Sequence, residues 1–94
     1  MKKTNDTMVP ETDKVMEVIR AIIRKNFRED KFTHHINALT PKSKVSEILD
    51  SLDFVETIMD LEIHYNIAIP DSECEKMFTF NDMIKTIQKI QNGK

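Results

Sequence analysis

Asp50-Ser51-Leu52-Asp53 places one hydroxyl between two carboxylates at the start of an apolar periodic run. A serine attacks a substrate only with a base beside it. His34, His35 and His64 lie at no triad-like spacing from Ser51. Gly93 is the one glycine, which excludes a P-loop, a dinucleotide fingerprint and a Gly-rich oxyanion loop. Ser51 therefore reads as a residue that is modified rather than one that attacks. A helix start leaves about four backbone N–H groups unpaired and carries partial positive charge, which suits a phosphate ester. The same place suits a plain helix cap, the commoner task of a serine there.

Other reactive side chains stand apart. Cys74 is the one cysteine, so no internal disulfide forms, and a reducing cytoplasmic setting is expected. In its short helical context Cys74 reads as a small packed residue. His34-His35 has no partners at metal-ligand spacing, and Asp50/Asp53 lack the pattern of a calcium loop, so no metal is expected.

The chain has 94 residues, 32% charged and 39% hydrophobic, enough for one small domain. Fourteen basic against sixteen acidic residues give a net charge of −2, which argues against a nucleic-acid partner. The charge is polarised. Residues 1–44 hold ten Lys or Arg and six Asp or Glu; residues 45–94 hold four and ten. From Val45 to Glu75 there is no Lys or Arg at all. Such a stretch is a solvated face or a surface that steers basic partners. No apolar run is long enough to enter a membrane, and the polar start is no signal peptide.

Residues 1–10 read as a flexible lead ending at Pro10, and residues 11–91 as the domain. Val15, Val18, Ile19, Ile22 and Ile23 fall at helical spacing and predict a helix to about Phe27. Residues 28–50 read as a long connection broken by Pro41, which Phe32, Ile36, Leu39, Val45 and Ile48 pin to the core. A helix follows from Ser51 to Tyr65, then a short one over Asp71–Met77. The last helix is capped by Thr79 with Asp82 three residues on, and its stripe is Phe80, Met83, Ile84, Ile87 and Ile90. The expected fold is all-α: a small antiparallel four-helix bundle, three main helices plus one short helix, with a long first loop.

The Ser51–Tyr65 helix carries two apolar faces. At about 100° per residue, Phe54, Ile58, Leu61 and Tyr65 share one narrow face that should meet the core. Leu52, Val55, Met59 and Ile63 form a second stripe on another side, flanked by Glu56 and Glu62. Asp53 and Asp60 lie together on a third side. A small bundle buries one face of such a helix, so the second stripe should face water. An apolar strip with a charged rim has the anatomy of a docking site.

Asp50-Ser51-Leu52-Asp53 with Phe54-Val55-Glu56-Thr57-Ile58-Met59-Asp60-Leu61-Glu62 resembles the helix-opening signature of acyl carrier proteins. Ile67-Ala68-Ile69-Pro70-Asp71, Glu75-Lys76-Met77 and Thr79-Phe80-Asn81-Asp82-Met83-Ile84 follow that family's order and spacing, so the resemblance covers about residues 15–90. It implies that a phosphopantetheinyl transferase moves 4′-phosphopantetheine from coenzyme A to Ser51, with Asp50, Leu52 and Asp53 flanking the arm. The arm's thiol then holds acyl groups as thioesters. The resemblance also implies that Leu52, Val55, Glu56, Met59, Asp60 and Glu62 face partners: acyl synthases and acyltransferases with basic docking patches. The protein is then a monomeric cytoplasmic carrier and not an enzyme. Ile58, Leu61, Phe80 and Ile84 are expected walls for an acyl chain lodged between helices. Two departures stand out: Ile48-Leu49 replaces the family's usual Gly-Ala pair, and Phe54 stands where a small residue is usual. The alternatives are a carrier for an amino acid or polyketide unit, or a helical interaction module with no prosthetic group.

Overall fold

A computed structural model describes residues 11–26 and 38–93. The expected flexible lead, and Phe27, Phe32, His34, His35 and Ile36, lie outside the described residues. Among the described residues five helices follow in order: α1 (Thr12–Asn26), α2 (Val45–Ile48), α3 (Ser51–Tyr65), α4 (Asp71–Cys74) and α5 (Phe80–Asn92). Three are long and two are single turns, so the bundle has one more short helix than the sequence pattern predicts. Four residues are too few to show helical periodicity, which is why α2 reads as loop in the sequence.

α1 buries Val15, Met16, Ile19, Ile22 and Ile23. Val18 is only partly buried and Met16 takes its expected place, so the stripe is turned slightly; an unbranched thioether adapts to such a gap. α5 buries Phe80, Met83, Ile84, Thr86 and Ile87, with Ile90 at its edge. Its start is a complete capping box. The Asp82 N–H donates to Thr79 Oγ1 at 3.2 Å, and the Asp82 carboxylate accepts the N–H groups of Phe78 and Thr79, each at 2.9 Å. These bonds hold the Asp82 carboxyl below its usual range, the Thr79 N–H most of all.

α3 ends at Asn66, whose φ of 55° is left-handed and suits asparagine. α4 is shorter than predicted. After Cys74 the chain turns by i→i−3 bonds, Lys76 N–H to Glu73 O and Met77 N–H to Cys74 O, each 3.1 Å, and this tighter turn carries Met77 into the core. The connection before α3 is stapled to the start of α5. Val45 N–H reaches Phe78 O at 2.9 Å, Phe80 N–H reaches Ser43 O at 3.1 Å, and Asn81 N–H reaches Pro41 O at 2.7 Å. Leu39 is buried, and its carbonyl accepts from the Arg20 guanidinium at 2.6 Å.

Candidate functional site

α3 begins at Ser51, but Asp50 is its cap: Asp50 Oδ1 accepts the Asp53 N–H at 2.8 Å. Ser51 occupies the first helical position and is exposed. Its hydroxyl makes no hydrogen bond among the described residues, so capping is done by its neighbour. The Phe54 N–H is closed by Asp50 O at 2.9 Å. The N–H groups of Ser51 and Leu52 lie in the first helical turn, where no intrahelical acceptor exists, and are available to an anion. An exposed, unengaged hydroxyl beside free N–H donors fits a covalently attached phosphate. Partial burial first, and then the Asp50 charge, push the Asp53 carboxyl above its usual range.

The two faces of α3 separate sharply. Ile58 and Leu61 are 7% and 0% exposed, while Phe54 and Tyr65 pack partly buried against the same core. Leu52, Val55, Met59 and Ile63 are 68%, 51%, 54% and 77% exposed. Glu56 is exposed beside this stripe. Thr57 is buried, which the sequence pattern did not reveal, because a threonine on a helix reads as polar; its hydroxyl donates to Asp53 O at 2.8 Å and is thereby satisfied.

Two carboxylates of the expected docking set are engaged within the chain. Asp60 accepts from Asn26 Nδ2 at 3.1 Å and pairs with Lys25 at 3.6 Å, which ties α3 to the end of α1. Glu62 Oε2 accepts the Ile69 N–H at 2.7 Å. Nothing in the residue spacing marks a seven-residue side-chain-to-backbone bond of this kind.

A cleft of about 210 Å³ opens between α3 and α4. Phe54, Val55, Ile58, Met59 and Glu62 line it from α3; Ile69, Asp71 and Cys74 close the other side. Of the four walls expected for an acyl chain, only Ile58 lines this cleft. Leu61, Phe80 and Ile84 are fully buried in the core, where side chains from α1, α3 and α5 already fill the space. Burial, and then the charges of Asp71 and Glu62, raise the Cys74 thiol above its usual range.

Among the described residues no three His, Cys, Asp or Glu side chains are grouped to hold a metal. No helix there is long and apolar enough to cross a membrane.

No family model matches the chain. Over 83 residues it is 36% identical to the acyl carrier protein of Rickettsia massiliae, covering 86% of this chain and 91% of that one. The acyl carrier protein of Rickettsia prowazekii aligns with the same identity and coverage, and that of Rickettsia canadensis is 35% identical over the same length. The likeness spans most of both chains, and on it the chain belongs to the acyl carrier protein family.

Proposed function

We propose that this protein carries acyl groups as thioesters on a 4′-phosphopantetheine arm esterified to Ser51, and delivers them to the enzymes of fatty-acid or related biosynthesis. The observation that supports it is the exposed Ser51 hydroxyl at the first residue of α3, left free because Asp50 supplies the cap. In loading, the Ser51 oxygen would form a bond to the phosphorus of coenzyme A that bears the pantetheine. The pyrophosphate P–O bond breaks, adenosine 3′,5′-bisphosphate leaves, and the hydroxyl proton passes to a base of the transferase. The arm supplies a terminal thiol for thioester formation. The chain's own residues present the site and recognise partners: Asp50 and Asp53 flank the arm, and Leu52, Val55, Glu56 and Met59 offer an apolar strip with an acidic rim.

That strip matches a phosphopantetheinyl transferase, and acyl synthases and acyltransferases, whose docking patches are basic. Charge of one sign speeds encounter and fixes orientation, while a small apolar contact lets go quickly. Such handling suits a monomeric cytoplasmic shuttle that visits several enzymes in turn.

The test is intact-mass measurement after incubation with a phosphopantetheinyl transferase and coenzyme A. One arm is expected on the wild-type chain and none on Ser51→Ala. An unmodified wild-type chain, with the transferase active on a control carrier, would falsify the reading.

A further inference from the structure

The carboxylates along α3 differ in what answers them. Asp50 and Asp53 bracket Ser51 and Glu56 follows one turn on; among the described residues no cation stands against any of the three. Farther along, both acids are taken. Asp60 meets Lys25 Nζ at 3.6 Å and Asn26 Nδ2 at 3.1 Å, and Glu62 Oε2 holds the Ile69 N–H. The apolar stripe does not stop with the open charge: Met59 and Ile63 continue it, both exposed.

That mismatch bears on a partner that must react at Ser51. Leu52, Val55, Met59 and Ile63 repeat by helical turns, so a docking surface finds similar apolar contacts one or two turns lower. Apolar contact is non-directional and does not fix register, whereas charge does. Asp60 lies about 14 Å along the helix axis from Ser51. Uncovered, it would be a second negative target beside Met59 and Ile63. Lys25 covers it from the last turn of α1. The lysine side of this pair is largely exposed, so the pair adds little to stability and acts chiefly on the charge pattern.

We propose that Lys25 is a positioning residue for loading: by neutralising Asp60 it leaves the Ser51 end of α3 as the one open electrostatic target, and so sets the register in which the basic patch of a phosphopantetheinyl transferase docks. The inference rests on the carrier reading with Ser51 as the attachment point. Without Lys25 a lower register opens, in which the transferase is bound but its coenzyme A is out of reach of the hydroxyl. Such unproductive binding lowers KM and kcat by the same factor and leaves kcat/KM unchanged.

The experiment uses the full unloaded chain as substrate, with a phosphopantetheinyl transferase and saturating coenzyme A at low salt. Initial loading rates followed by intact mass give kcat and the KM for the carrier. In Lys25→Gln both are expected to fall together, roughly threefold. At about 1 M salt, where the screening length is about 3 Å, the difference should vanish. Lys14→Gln makes the same change in net charge about three turns earlier on the same line of α1, and should keep the wild-type constants. Lys25→Gln combined with Asp60→Asn removes the second target and should restore them. Melting temperatures check the fold, and if Lys25→Gln melts well below the wild type, Lys25→Met, which keeps the apolar stem, decides the matter. An unchanged or raised KM in the folded Lys25 variant overturns the proposal, as does an equal fall in Lys14→Gln or a double variant that is not restored. In those outcomes the loaded mass is present and the carrier reading stands. Absence of any added mass on the wild type overturns both.

Discussion

Glu62 Oε2 accepts the Ile69 backbone N–H at 2.7 Å, so a carboxylate of α3 clasps the segment that leads into α4. Ile69 itself is buried. Removing the acceptor leaves its N–H in a place that water reaches poorly. Glu62→Ala should cost about 1–3 kcal/mol, the penalty of an unsatisfied donor. Chemical denaturation compared with Glu56→Ala, at an exposed position on the same helix, checks this. Equal stability of the two variants would remove the clasp from the account.

Glu56 is consequently the cleaner probe of docking. Glu56→Lys should leave the melting temperature nearly unchanged and slow transferase loading roughly tenfold at low salt. The wild-type rate should also fall as salt rises, because exposed charges are screened over about 8 Å at physiological ionic strength. Initial loading rates across a salt series measure both effects. A rate indifferent to salt and to this charge reversal would place the steering surface elsewhere.

Two carboxyls predict opposite responses to acid. Asp82 titrates below its usual range because folded-state N–H groups bind its charged form. Its contribution is present above the unfolded pKa of about 3.8 and is lost as pH falls through the lower folded value. Asp53 is raised, by partial burial and by Asp50, so the folded state favours its protonated form. Its contribution is present below about 3.8 and is lost as pH rises through the folded value. At pH 7, Asp53→Asn should therefore raise the melting temperature and Asp82→Asn should lower it, and both differences should shrink on acidification. Melting curves from neutral pH down to strongly acidic buffer read the two signs. An Asp53→Asn variant that melts lower than wild type at neutral pH would contradict the Asp53 assignment.

Much of α3 could be read before any coordinates. Its two apolar faces follow from helical periodicity alone, and Leu52, Val55, Met59 and Ile63 are indeed exposed. The capping box of α5 was legible because Thr79 and Asp82 form a local pattern. What escaped depends on tertiary placement. Thr57 is buried because its hydroxyl finds a carbonyl one turn back, and α2 is too short to display a period. Asp50 rather than Ser51 caps α3, a choice between adjacent cap-formers that sequence leaves open. That Leu61, Phe80 and Ile84 lie in the filled core and not at the cleft was hidden for a different reason. Apolar spacing identifies which side chains point inward, but not which of them face a filled core and which face a gap.

The staple between residues 41–45 and residues 78–81 bears on which parts of the molecule are firmly anchored. It ties the short turn ahead of Ser51 to the root of the last helix. α4, by contrast, has no fully buried side chain of its own; Cys74 packs partly buried against the core, and the Glu62–Ile69 bond and the Lys89–Glu73 ion pair at 3.0 Å add to its hold. Such surface pairs contribute little, so α4 is held more lightly than the three long helices with their buried stripes. A shift of α4 would leave the first turn of α3 and its exposed stripe where they are, so the two sides of that helix answer to different anchors.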